Sequence, residues 1–463
     1  MKGKKNKQFR NVKGKKNTTK TEPNQVLEIP KICLCMIVKN ESKIILRCLE
    51  SAKSIIDYIS ICDTGSTDNT MELIEEWGKK NSIPCKVHLE QFKNFGYNRT
   101  LSVELGQKTY PDSTYFLLLD ADMILIVNSD FSKSALTKDK YSIQQFDAYI
   151  KYWNVRLVKN TLSWKCIGVT HEYWDGDREH TSDCCYTLQI DDREDGGCKS
   201  DKFERDKKLL MEGLKDKTIS VGLRSRYMFY LAQTLKDLGE YEEAIQWYTK
   251  RIKSKDNFPE ESFYAQYRIG TCYELWSKKL ENQLHYDIAK KDTLAKINDP
   301  QYTRTKPCKI CSKMEYHHTE DPIENIEKDL LSKDKFKELL KRKNELFLLS
   351  ISSHLKSWQM RPHRSEPLYD ISRIYREKGN NDLSLIFALK GKEIPYPKQD
   401  LLFIDFRVYE YLFDYEISIV AFYNPSTREI GRNSFKKLMR IKDKLPENIR
   451  NIMQNNSKFY RDQ

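Results

Sequence analysis

The stretch that most restricts the fold is Tyr115–Asp122, YFLLLDAD. Five apolar or aromatic residues follow one another without a polar break and end on two carboxylates two positions apart. Such a short run predicts a strand covered on both faces, as in a parallel sheet. Alternate side chains of an extended chain point the same way, so Asp120 and Asp122 are aimed at one point beyond the strand. Paired carboxylates at the carboxyl edge of a parallel sheet suit a hard divalent cation holding a diphosphate. Two solvated acids where a strand meets a loop are the competing reading, and the rest of the chain decides between them.

Upstream, Ile32–Val38 (ICLCMIV) is a second buried-strand run, ending at Lys39-Asn40-Glu41-Ser42. Ser42 is placed to cap a helix over Ser42–Ile56, whose apolar positions Ile45, Leu46, Leu49, Ala52 and Ile56 have helical spacing. A strand at Tyr58–Cys62 runs into DTGSTDNT, and a helix resumes at Met71 and ends near Gly78. Cys85–Leu89 then reads as a strand and Asn98–Gln107 as a helix. This alternation predicts an open, mostly parallel α/β sheet with ligands at its carboxyl edge. DTGSTDNT has the makings of a nucleotide pocket. Asp63 can accept from a base N–H, Gly65 lets the backbone turn, and Ser66 and Asp68 precede a helix N-terminus that favours negative charge. By itself the same stretch also reads as a helix cap.

Taken together, CMIVKNES, CDTGSTDNT and LLLDAD, in this order and at these spacings, resemble the glycosyltransferase family 2 version of the GT-A fold. The resemblance covers residues 32–200 and implies a nucleotide-sugar donor, usually a UDP-sugar, with a Mn²⁺ or Mg²⁺ ion. By match, Asp63 falls at the position that contacts the nucleobase, among the candidate donor-binding residues Asn40, Gly65, Ser66 and Asp68. Asp120 and Asp122 match the DxD motif that reaches metal and ribose, and Arg99, in FGYNRTLSVELG, falls where the family often has an Arg near the nucleotide.

Downstream, Tyr149–Leu157 and Trp164–Val169 read as strands, the second leading to Thr170-His171-Glu172. Some members of the family carry a similar valine-His-Glu segment. His171 is therefore a candidate metal ligand and Glu172 a candidate general base, against the plainer reading of a strand-end His beside a solvated Glu. The acid cluster Ile190-Asp191-Asp192-Arg193-Glu194-Asp195-Gly196-Gly197 can supply a base or simply be an exposed loop. The base stays open among Glu172, Asp191, Asp192 and Asp195.

From residue 202 the pattern is helical. RYMFYLAQTLKDLGEYEEAIQWYTKRI places small residues at Ala232 and Ala244, Gly239 at a turn, and Tyr241 and Tyr248 as packing aromatics. That spacing marks a tetratricopeptide-like hairpin, echoed from Ala265 (Gly270, Tyr273) and over Glu366–Glu393. The segments from DGGCKSDKFERDKKLL onward and RPHRSEPLYDISRIYREKG resemble family 2 glycosyltransferases fused to such repeats, which implies repeats packed on the catalytic domain. The expected organisation is a basic tail at 1–29, a GT-A domain at 30–204, and tetratricopeptide-like helices at 205–277. A charged insertion at 278–345 and a helical region at 346–463 complete it. Within the insertion, Cys308, Cys311, His317 and His318 lack the second ligand pair that a structural zinc site needs.

The net charge of +13 does not indicate a nucleic-acid binder, because residues 1–20 hold nine Lys or Arg and no acid, leaving +4 on the rest. No apolar run is long enough to span a bilayer, no leader-like segment opens the chain, and cysteines such as Cys33, Cys35 and Cys62 sit in strand-like runs. These features point to a cytoplasmic protein without a specific nucleic-acid partner. The expected activity is metal-dependent, inverting transfer of a sugar to a hydroxyl of a protein or glycan held by the helical repeats. A repeat scaffold with a catalytically silent donor-binding domain is the competing reading.

Overall fold

The computed structural model describes residues 29–146, 151–196, 202–254, 258–297 and 330–460. The basic tail up to residue 28 and the Cys308, Cys311, His317, His318 motif lie outside the described residues.

The N-terminal half is built on one mostly parallel sheet. Strands β1 (Ile32–Val38), β2 (Tyr58–Asp63), β3 (Cys85–Leu89) and β4 (Tyr115–Leu118) lie parallel in the order β3-β2-β1-β4. β4 stops two residues short of Asp120, because the chain turns there: Met123 N–H donates to the Asp120 carbonyl at 3.0 Å and β5 (Met123–Val127) begins. The sheet continues past β4 through β7 (Lys151–Lys159), β6 (Lys140–Phe146), β10 (Ser182–Asp192) and finally β5. Of these pairs only β6 with β10 is parallel. A two-stranded ribbon, β8 (Trp164–Ile167) with β9 (Tyr173–Gly176), covers one side.

Both faces of β1, β2 and β4 are dry, which is why these strands read as apolar runs, while the edge strand β3 is only partly covered. Leu34, Met36, Ile59, Ile61 and Leu117 face helices α1 (Ile45–Ala52) and α2 (Thr70–Lys80) through Ile45, Leu49, Ile74 and Trp77. The alternate residues Cys33, Cys35, Phe116 and Leu118 face Val103 of α3 (Phe95–Thr109), together with Trp164 and Trp174 of the ribbon.

Two local differences from the sequence reading have physical causes. α1 begins at Ile45 and has no side-chain cap; Ser42 instead bonds Asp68 through both its side chain and its N–H, the latter to Oδ2 at 3.3 Å. α3 begins three residues before Asn98, because Asn94 caps it by accepting from Tyr97 N–H at 2.8 Å.

The C-terminal half is helical. α4 (Lys202–Lys215) leads into a hairpin of α5 (Val221–Asp237) and α6 (Tyr241–Ile252), turned by Gly239 at φ +77°. Ala232 and Ala244 are fully buried there, as the repeat pattern requires. α9 (Glu366–Glu377) and α10 (Asn381–Lys392) repeat the device around Gly379 at φ +76°, with Ser372 hydroxyl against Ser384. Between them run α7 (Pro259–Ile297) and α8 (Lys333–Met360), where a Cβ on Gly270 would stand 2.8 Å from the His354 ring. Within α7, Lys278 pairs with Glu377 of α9 and Glu281 with Lys378, the residue that caps it, so these charges face a neighbouring helix. Helices α11 (Phe413–Val420), α12 (Arg428–Arg440) and α13 (Glu447–Asn456) close the chain around a core with Leu368, Ile371 and Ile417.

Repeats and sheet are packed together, as expected from the direct run into α4. Val169 N–H donates to Tyr227 Oη at 3.0 Å, and Arg226 Nε donates to the His171 carbonyl at 2.8 Å. The His171 ring stacks on Tyr230 with centroids 3.9 Å apart.

Candidate active site

The carboxyl ends of β1, β2 and β4 bring three loops together. Asp63, the last residue of β2, is completely buried. Its Oδ1 accepts from Gly65 N–H at 2.8 Å and Ser66 N–H at 2.7 Å, while Oδ2 is buried with no hydrogen-bond partner. Beside it Gly65 has φ +102° and nothing within 4 Å of where a Cβ would stand. A buried carboxylate oxygen without a partner is an acceptor that an added N–H would complete. Asn40 (φ +57°), Ser66 and Asp68 tie the loops to one another. Asn40 N–H donates to Ser66 Oγ at 2.9 Å, Thr67 N–H to Asn40 Oδ1 at 2.7 Å, and Thr70 Oγ1 to Asp68 Oδ1 at 2.5 Å. Burial pushes the Asp68 carboxyl up, but these bonds outweigh it and hold it below its ordinary value.

Asp120 is held between two guanidinium groups. Arg99 Nη1 donates to Oδ1 at 2.6 Å and Arg156 Nη1 approaches Oδ2 at 3.3 Å. Burial works against ionisation, yet the two cations prevail and bring the Asp120 carboxyl down to about 2. Arg99 also reaches Glu172, Nε to Oε1 at 2.5 Å, so one side chain of α3 ties the β4 end to the segment after β8. Close backbone contact makes this possible. Gly96 N–H donates to the Gly168 carbonyl at 3.1 Å, and a Cβ on Gly96 would lie 2.6 Å from the Cys166 carbonyl oxygen.

The acid cluster docks on the same turn. Asp192 pairs with Met123 in the β10–β5 register, and Arg193 N–H donates to the Asp122 carbonyl at 3.2 Å. The four candidate bases have different partners. Glu172 is paired with Arg99, Asp191 with Arg193 at 2.8 Å, and Asp195 with both terminal nitrogens of Arg47 at 2.7 and 2.8 Å. Asp192 is held by neutral donors among the described residues: Gln145 Nε2 to Oδ2 at 2.6 Å and Glu194 N–H to Oδ1 at 3.1 Å.

Among the described residues no three His, Cys, Asp or Glu gather as a metal set. His171 (φ +52°) is occupied by its stack on Tyr230, and burial with nearby Arg226 brings its imidazole down to about 3. The structure does not place it with the DxD pair as a third ligand. Asp120, the first carboxylate of the motif, is engaged by Arg99 and Arg156, and Asp122, the second, lies on the turn after it. Gly196 packs beside it, a Cβ there lying 3.3 Å from Asp122 Oδ2 and 3.5 Å from Glu41 Oε1. Carboxylate oxygens are hard ligands of the kind that suit Mn²⁺ or Mg²⁺.

Sequence reasoning missed Arg156, Gln145 and Arg47. Two signals were available. Arg156 is a charge inside the apolar run Val155–Val158, and a buried charge calls for a partner. Gln145 stands two residues beyond Ile143 and four beyond Tyr141, so the strand period turns it inward with them.

Residues 33–165 match the family model described as Glycosyl transferase family 2. A 98-residue stretch is 32% identical to a TPR repeat-containing protein of Synechococcus elongatus, covering 21% of this chain and 22% of that protein. Over 348 residues the chain is 22% identical to the SPbeta prophage-derived glycosyltransferase SunS of Bacillus subtilis, covering 72% of this chain and 79% of SunS. Among solved structures, S. aureus TarS 1–349 in complex with UDP matches with TM-score 0.24 and 13% identity, over 53% of this chain and 80% of that one.

Proposed function

We propose that this chain, which carries a glycosyl transferase family 2 domain at residues 33–165, moves a sugar from a UDP-sugar donor to an acceptor by single displacement with inversion. The observation that carries the reading is the buried Asp63 with one satisfied and one orphan oxygen at the carboxyl edge of a parallel sheet. Uracil offers an N–H to that oxygen. A purely structural Asp would have both oxygens paired or exposed, since a buried acceptor without a donor costs free energy.

From the base site, the diphosphate would run toward the β4–β5 turn. Asp122 would hold a Mn²⁺ or Mg²⁺ ion, which when bound supplies neutralising charge to the leaving diphosphate. Arg47, near Asp122 and paired with Asp195, adds fixed positive charge on the same side. Arg99 and Arg156 hold Asp120 as an ionised, immobile acceptor suited to a ribose hydroxyl. Asp192 is the general base of this account. Glu172, Asp191 and Asp195 are each engaged by a guanidinium, whereas Asp192 is oriented by an amide and a backbone N–H and keeps acceptor capacity for a proton. The acceptor's hydroxyl oxygen would attack C1 as Asp192 takes its proton, and the C1–phosphate bond breaks with the electron pair leaving on the diphosphate. The helical half, joined to the site through Tyr230 and Arg226 at His171, shapes the acceptor approach. A protein or glycan acceptor and a cytoplasmic setting belong to this proposal. Among the described residues no helix is long and apolar enough to cross a membrane.

The test is UDP binding by calorimetry to the wild type and to Asp63→Ala. Binding that survives the substitution unchanged sinks the donor-site assignment. The silent-scaffold alternative is favoured by no observation, since it leaves the charge network around Asp120 without a purpose.

A further inference from the structure

The geometry points to Gln145 and Arg156 as positioning residues for Asp192, a strut that fixes the base relative to the donor-side carboxylate Asp120. The inference rests on the assignment of Asp192 above. Both residues lie inside the protein, Gln145 at 1% exposure and Arg156 at 7%. They lie on adjacent strands: Gln145 of β6 stands opposite Ile190 of β10 on one side and Tyr152 of β7 on the other, and the long Arg156 side chain, four residues along β7 from Tyr152, reaches back to it.

The strut has a direction set by chemistry. A guanidinium can only donate, and Arg156 Nη2 donates to Gln145 Oε1 at 3.0 Å. That contact turns the amide so that Nε2 faces Asp192, whose Oδ2 accepts at 2.6 Å. Flipping the amide would set its oxygen against a carboxylate and its NH₂ against a cation, two like-with-like contacts at once. At its other end Arg156 Nη1 is held by the Leu118 carbonyl at 3.4 Å and Asp120 Oδ2 at 3.3 Å. Glu194 N–H fixes the second Asp192 oxygen at 3.1 Å. The chain Asp120, Arg156, Gln145, Asp192 thus passes orientation from the donor-binding turn to the base without either strut residue touching substrate.

A reacting group displaced by an ångström loses roughly 100-fold in rate. The experiment uses the full-length protein and the sugar nucleotide that the wild type turns over fastest among UDP-glucose, UDP-galactose and UDP-N-acetylglucosamine, with UDP release as readout. Gln145→Met keeps side-chain length and removes both polar groups. It is expected to lower kcat roughly 100-fold while donor KM stays within about twofold. Made in an Asp192→Asn background, the same substitution is expected to cost nothing further, because the strut then has no base to hold. A residue that merely supports the fold would give the same fold-loss in both backgrounds, or a loss confined to KM. Either result overturns the inference. Should Gln145→Met not fold, Gln145→Asn, which shortens the reach but keeps the polarity, carries the same comparison. A wild type that turns over no donor defeats the glycosyl-transfer reading and this inference with it. An active wild type with additive losses defeats the inference alone.

Discussion

Replacing Asp63 by Asn alters one atom of the proposed donor pocket. The remaining Asn oxygen can still accept from Gly65 and Ser66 N–H, the two bonds that hold the turn at 2.8 and 2.7 Å. The change falls on Oδ2, the buried atom with no partner, which becomes an NH₂ donor. A uracil N–H arriving there would meet a donor instead of a charged acceptor. A hydrogen bond to a charged group contributes about 1.5–3 kcal/mol. Its loss converts to roughly 10- to 150-fold weaker binding. The unliganded fold, by contrast, should be as stable as wild type or slightly more so, because an unpaired buried carboxylate oxygen carries a desolvation cost. Calorimetric titration with UDP and thermal unfolding of both proteins separate the two effects. Equal UDP affinity in a folded Asp63→Asn protein would refute the reasoning, and so would a loss of affinity that merely tracks a loss of stability.

Three other outcomes follow from named contacts. Gly96→Ala pushes a methyl group into the Cys166 and Gly168 carbonyls and should cost about 3 kcal/mol in urea unfolding, with turnover falling because α3 carries Arg99. His354 is fully buried, its ring nitrogens have no hydrogen-bond partner, and burial depresses its pKa below 6.5. The unfolded chain therefore binds the extra proton, and stability is full above pH 6.5 and falls as pH drops below it. Relative to His354→Leu, the wild type should lose stability between pH 7.5 and pH 5.5 in chemical denaturation. His171→Gln removes the stack on Tyr230 and should weaken acceptor-dependent transfer while leaving the concentration of Mn²⁺ needed for half-maximal donor hydrolysis unchanged. A shift of that concentration would restore His171 as a metal ligand.

What could be read from the sequence divides along physical lines. The parallel strands were plain because burial on both faces leaves unbroken apolar runs such as ICLCMIV and YFLLLD. The loops that follow them were plain for the same reason, since a strand's end fixes where Asp63 and Asp120 stand. The repeat hairpins showed through Gly239 and Gly379, which alone allow the positive φ at each turn without strain. The partnerships were not legible. That Arg99 spans Asp120 and Glu172, and that Arg156 reaches Asp192 only through Gln145, depends on strand order β4-β7-β6-β10, in which neighbours in space are distant in sequence. The same holds within α7, where Lys278 and Glu281, charges that looked solvated, are paired to Glu377 and Lys378. Periodicity reports which way a side chain faces; it does not report what it meets.

The central claim is that the carboxyl edge of this sheet cleaves a nucleotide sugar using Asp122 for a metal and Asp192 as base. The most direct measurement is nucleoside diphosphate release from a panel of UDP-sugars, run with Mn²⁺ and with a chelator on wild type, Asp122→Ala and Asp192→Asn. The account expects release from one donor by the wild type with Mn²⁺, abolished by the chelator and by Asp122→Ala, and reduced at least about 100-fold in Asp192→Asn with UDP affinity retained. Release that persists undiminished in Asp192→Asn, or that is indifferent to both the chelator and Asp122→Ala, would contradict it.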